Sequence, residues 1–181
     1  MAMNHAAEPI TPERIEEAMR AGEMTAYFQP VVDAKTRRAV KLEALARWKH
    51  PELGDVPPSA FVPVMERRPE TMERFTFWMI EESFRLLKNL REGGQAPVHA
   101  VNVSAVNLAD LRFPDRVADL VRACRARPQE ITLEITETAA TSDPIATMDI
   151  LTRLRLKGFG LSLDDFGTGY SSLVALHRLP F

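Results

Sequence analysis

The sequence predicts an α/β fold, and three observations carry that expectation. From Val98 onward, short apolar runs alternate with amphipathic stretches of helical period, the pattern of parallel strands joined by right-handed helical crossovers. Caps and breakers separate the two kinds of segment: Gly93-Gly94, Asp143-Pro144 and Gly158 each stand where one ends or the next begins. The third observation is Leu161-Ser162-Leu163-Asp164-Asp165-Phe166-Gly167-Thr168-Gly169-Tyr170-Ser171-Ser172. It reads as an apolar run, a carboxylate pair, a glycine loop and a helix cap. The aspartates therefore fall at the carboxyl end of a strand, where open α/β sheets and barrels place their chemistry. Adjacent carboxylates repel unless a cation, a proton or a basic partner lies between them. Taken alone, the pair also suits a plainer role, one Asp in a turn and the other as a helix-entry charge.

The 181 residues carry 23 Lys+Arg and 25 Asp+Glu, a formal net charge of -2. That length holds one sizeable domain with a real core. The near-neutral balance argues against a protein that coats a nucleic-acid polymer, so an anionic ligand has to be met by local arginines. Cys124 is the sole cysteine. An intrachain disulfide is thereby excluded, which suits a reducing cytoplasm. No apolar run is long enough to span a bilayer. Met1 to Glu8 lacks the basic start and apolar core of a secretory signal. A cytoplasmic location is the expectation.

Residues 1–22 read as an N-terminal extension and a helix, and 23–181 as the main domain. Thr11 caps the helix, Pro12 begins it, Ile15, Ala18 and Met19 form its apolar face, and Gly22 ends it. Thr25 to Val32 reads as a strand, followed by the polar turn Asp33 to Arg38. Val40 to Trp48 has a composition that also suits a helix, but the short connection favours a hairpin and so an antiparallel pair. His50 to Pro58 is a Pro/Gly-rich loop, Ser59 caps a short helix, and Arg67-Arg68-Pro69 interrupts it. A longer helix, Glu70 to Arg91, carries Phe75, Trp78, Met79, Phe84 and Leu87 as core residues. Then come a strand Val98–Ser104, a helix Phe113–Ala126, a strand Glu130–Glu137, a helix from Asp143 to Lys157, a strand Phe159–Asp164, and a helix Ser171–Leu179.

Polar oxygen donors interrupt four of these strands where apolar residues are the default: Glu43, Asn102, Glu134 and Asp164. A single such residue is usually a satisfied core group or a surface position. Four on separate strands, each among apolar neighbours, point to one site, because buried carboxylates without partners are very costly. Three carboxylates and an amide make an all-oxygen set suited to Mg²⁺ or Mn²⁺ rather than to a thiolate-rich zinc site. Asp165 offers a ligand for a second ion, and two ions can activate water against a phosphodiester. Arg47, four residues beyond Glu43 on the same strand face, can grip a phosphate oxygen. Its plainer alternative is a surface ion pair.

These residues carry a resemblance. Tyr27-Phe28-Gln29-Pro30, Glu43-Ala44-Leu45, Arg47-Trp48, Val101-Asn102-Val103-Ser104, Leu133-Glu134-Ile135-Thr136-Glu137 and Asp164 to Ser172 together resemble the EAL-domain family of cyclic-di-GMP phosphodiesterases. The ordered blocks, from about Tyr27 to the end, are what make the match specific. The resemblance implies an incomplete TIM-like (β/α)₈ barrel of EAL type, with one antiparallel strand near the start. It implies Glu43, Asn102, Glu134 and Asp164 as ligands of a first Mg²⁺ or Mn²⁺, and Asp165 as ligand of a second. Glu43, Asp164 and Asp165 become the catalytic set, Arg47 and Gln29 the substrate contacts, and Glu137 the residue that steadies the loop after the aspartates. In the family that loop links metal occupancy to dimerisation, so a homodimer is expected.

The resemblance also has departures. The family continues past the Leu-Pro that matches Leu179-Pro180 into strands bearing a catalytic lysine and further glutamates, and Arg67-Arg68-Pro69-Glu70 replaces a Gly-containing link. Two functions follow as expectations. One is metal-dependent hydrolysis of cyclic di-GMP to linear pGpG. The other is a catalytically impaired cyclic-di-GMP-binding or dimerising module on the same half site.

Overall fold

The computed structural model describes residues 9–92, 97–136, 139–140, 143–164 and 179–181. Helix α1 (Pro12–Ala21) opens the order, followed by strands β1 (Met24–Val32), β2 (Ala39–His50) and β3 (Gly54–Val56). Helices α2 (Pro58–Glu66) and α3 (Pro69–Glu92) lead to β4 (Val98–Val103), α4 (Phe113–Ala123) and β5 (Ile131–Thr136). Helix α5 (Pro144–Leu156) and β6 (Gly160–Asp164) complete the described elements. The expected helix from Ser171 lies almost wholly outside the described residues.

The strands form one sheet in the order β1-β2-β4-β5-β6, with β3 paired to β2. The β1–β2 pair is antiparallel, and β2–β4, β4–β5 and β5–β6 are parallel. The hairpin expected from the short Asp33–Arg38 turn is therefore present. Asp33 builds that turn by accepting from the backbone amides of Lys35 and Thr36 at 3.1 and 2.7 Å. β3 corrects the loop expected over His50–Pro58: Trp48, Lys49 and His50 pair with Val56, Asp55 and Gly54. Helix α4 stops short of Ala126 because Arg125 takes a left-handed φ of 54°.

Helix caps follow the expected chemistry. Thr11 accepts from the Arg14 amide, and Asp143 accepts from those of Ile145 and Ala146. The helices cover one face of the sheet. Along β2 the residues facing them, Ala44, Ala46, Trp48 and His50, are buried. Phe61, Phe113, Phe159, Ile80 and Leu87 fill the space between sheet and helices, each such burial contributing roughly 1.5–3 kcal/mol. Trp48 donates from Nε1 to Glu23 at 3.0 Å, and Arg14 of α1 reaches the same carboxylate at 2.6 Å. That network ties α1 to the strand that carries Glu43.

His99 lies on the helix-facing side of β4, fully buried beside the Phe28 ring. Neither ring nitrogen has a hydrogen-bond partner among the described residues. Burial pushes its pKa down from 6.5 to about 4, opposed by the Ser83 backbone and helped by Arg91. In that window the unfolded chain takes up a proton that the folded chain refuses. The stability is thus whole above 6.5 and lost progressively as the pH falls towards about 4. The full loss is about 3 kcal/mol. We predict that His99→Leu flattens this part of the stability profile in urea unfolding followed across that range. An unchanged slope would contradict it.

Candidate functional site

The opposite face of the sheet carries the polar residues. On β2 these are Lys41, Glu43 and Arg47, the positions that alternate with the buried set. Register then places their counterparts. Gln29 of β1 lies opposite Glu43, and Asn102 of β4 lies beside Glu134 of β5. Glu134 pairs in turn with Ser162 of β6, and Asp164 pairs with Thr136 at the carboxyl end of β5. Strand parity thus places Glu43, Asn102, Glu134 and Asp164 on one face of the sheet.

Asn102 and Glu43 are in contact: the amide Nδ2 donates to Glu43 Oε1 at 3.2 Å. An amide used this way keeps its carbonyl oxygen as a possible ligand. The turn that follows β4 is tied to itself and to α3. Asn107 Oδ1 accepts from the Ser104 amide at 3.2 Å and from Thr76 Oγ1 of α3 at 3.1 Å. Glu134 is nearly buried, at 7% exposure. Its Oε1 accepts from Ser162 Oγ at 3.0 Å and from Lys41 Nζ at 2.5 Å. Asp164 is exposed at the end of β6. No group of three or more His, Cys, Asp or Glu side chains is gathered into a metal-holding cluster among the described residues. The closest juxtapositions are the Glu43–Asn102 contact and the Glu134 pair. Asp165 and Glu137 lie outside the described residues.

Arg47 donates from Nη1 to the Ala46 carbonyl at 2.8 Å, and its guanidinium sits over the Tyr27 ring, 5.6 Å from the centroid. It forms no ion pair among the described residues. Beside it a cleft of about 570 Å³ is lined by Tyr27, Arg47, Lys49, Asp55 and Pro57. A larger hollow of about 780 Å³ lies between α1, β1 and α3 and touches none of the candidate site residues. Lys41 and Ser162 were not among the residues picked out from sequence. Their strand parity places both on the polar face, but parity alone does not say which carboxylate a long side chain reaches.

Helices on one face of a largely parallel sheet and oxygen donors on the other, with Asn102, Glu134 and Asp164 in the carboxyl-terminal halves of their strands and Glu43 nearer the middle of β2, make this an α/β domain. The EAL domain family model matches residues 12–181, and the chain belongs to that family. MucR of Pseudomonas aeruginosa, a bifunctional diguanylate cyclase/cyclic di-GMP phosphodiesterase, is 35% identical over 167 residues, 92% of this chain and 24% of MucR. RocR of the same organism, a cyclic di-GMP phosphodiesterase, is 36% identical over 160 residues, 88% of this chain and 41% of RocR. The chain therefore spans less than half the length of these curated relatives. The solved structure of the MucR phosphodiesterase in complex with cyclic di-GMP matches with a TM-score of 0.85 at 35% identity, over 93% of this chain and 68% of that one.

Proposed function

We propose that this chain carries the site of a cyclic-di-GMP phosphodiesterase that hydrolyses the cyclic dinucleotide to linear pGpG with Mg²⁺ or Mn²⁺. The observation that carries the reading is the row of Glu43, Asn102 and Glu134 on neighbouring strands of one face, with Asp164 at the strand end beyond. These are hard oxygen donors of the kind such ions take. Glu134 already draws a cation, the Lys41 ammonium. Glu43, Asn102, Glu134 and Asp164 would hold a first ion and Asp165 a second. Metal bound there would supply a water of lowered pKa and neutralise charge developing on the phosphate.

The chain's own side chains have separate tasks. Arg47, pre-oriented by the Ala46 carbonyl and the Tyr27 ring, takes a non-bridging phosphate oxygen. Gln29, opposite Glu43, holds the nucleotide against that end of the sheet. Glu137 steadies the loop from Phe166 to Ser172. In the reaction water adds across one P–O3′ bond, leaving a 5′-phosphate and a 3′-hydroxyl. All proposed site residues fall in 23–181, which we take as the working domain. It is cytoplasmic in this reading and acts as a homodimer. No helix among the described residues is long and apolar enough to cross a membrane.

The Lys41–Glu134 pair favours a second reading, a nucleotide-binding or dimerising module of impaired activity, because it leaves one candidate ligand already neutralised. Cyclic di-GMP turnover assayed beside equilibrium binding separates the two: binding without turnover supports the module. Where turnover is found, we predict that it needs Mg²⁺ or Mn²⁺. Ca²⁺ should bind and inhibit, since its looser coordination places water and phosphate poorly. Undiminished hydrolysis in excess chelator would overturn the metal assignment.

A further inference from the structure

We infer that Lys41 is a resident counter-cation of the site, and that its ammonium competes with a divalent ion for the charge of Glu134. The inference rests on the metal reading above. Lys41 starts from β2, level with Val98 of β4, and reaches past that strand to Glu134 of β5. On β4 the position level with Glu43 is Ala100, so only a methyl group stands in that part of the polar face. The ammonium lies 2.5 Å from Glu134 Oε1, with the two side chains 26% and 8% exposed. Ser162 donates to the same oxygen at 3.0 Å. A nearly buried carboxylate without a counter-charge is costly, and here the protein supplies one from the strand that also carries Glu43.

Lys41 and Ser162 both use Oε1, so a divalent ion on this carboxylate has the ammonium as a close neighbour of like charge or displaces it. In either case the cation lowers the apparent metal affinity. Lys41 acts through Glu134 and is a positioning residue rather than a catalytic one. It keeps the carboxylate aimed in the metal-free state and raises the ion concentration needed to load the site.

Manganese binding tests this directly, with free Mn²⁺ followed by electron paramagnetic resonance. The proteins compared are the whole chain, Lys41→Met, Lys41→Arg and Glu43→Ala. Lys41→Met should bind Mn²⁺ roughly tenfold more tightly than the parent, and Lys41→Arg should return to weak binding because it restores the cation. In chelator, Lys41→Met should melt below the parent, and saturating Mn²⁺ should remove the deficit. Should Lys41→Met not fold in chelator, the same titration is run on protein refolded with Mn²⁺, and Lys41→Arg still reports whether charge governs affinity. Equal or weaker Mn²⁺ binding by Lys41→Met, with Glu43→Ala weakened, overturns the role of Lys41 and leaves the metal site standing. Mn²⁺ binding by none of the four, or equal binding by all of them, overturns both.

Discussion

Glu43→Ala is expected to remove turnover of cyclic di-GMP in the form of the protein that shows it, lowering the rate by on the order of 10²–10³-fold or more. Among the described residues, Glu43 is the candidate carboxylate in direct contact with a second candidate ligand, Asn102. Its loss takes away a charge from the proposed ion and the acceptor that orients the amide. The fold should survive, because Glu43 belongs to the polar face and the packing of β2 rests on Ala44, Ala46 and Trp48. Steady-state hydrolysis beside circular dichroism checks both halves. A variant that folds and keeps more than a tenth of the parental rate would sink the assignment of Glu43.

A large effect is also expected from the sheet edges. Among the described residues β1 and β6 each pair on one side only, and β1 exposes Tyr27, Val31 and Val32. Unpaired edges with apolar neighbours invite another chain. We predict that a polypeptide of residues 1–181 self-associates through these edges, most simply as a dimer. Sedimentation across a concentration series decides the matter. A monomer at every concentration would show that these edges are not an interface.

Much of the architecture could be read from local chemistry. Thr11-Pro12, Asp143-Pro144 and Gly158 mark helix ends that the fold keeps within a residue or two. The polar turn at Asp33 announced the antiparallel pair. What escaped was short or long-range. β3 is three residues long and exists only because β2 extends far enough to pair with it, so no periodicity could announce it. Arg125 adopts a positive φ that its side chain does not advertise. Within the site, the sequence picked out oxygen donors among apolar neighbours on separate strands. The sequence could not show that Lys41 spans a strand to meet Glu134, because that depends on the register of β2 against β4 and on the small residue at Ala100.

Strand β2 carries two kinds of information on its two sides. One side is fixed by packing, with Trp48 at 1% exposure and Ala44 at 2%. The other holds Lys41, Glu43 and Arg47, whose exchange leaves that packing untouched. Mutational drift can therefore edit the chemistry without passing through unfolded ancestors. Under the function proposed above, a single codon change at Glu43 would trade an enzyme for a receptor while the core on the other side of β2 stays as it is. Hydrolase and sensor descendants of one scaffold are then neighbours in sequence space, separated by fewer substitutions than separate two equally stable cores.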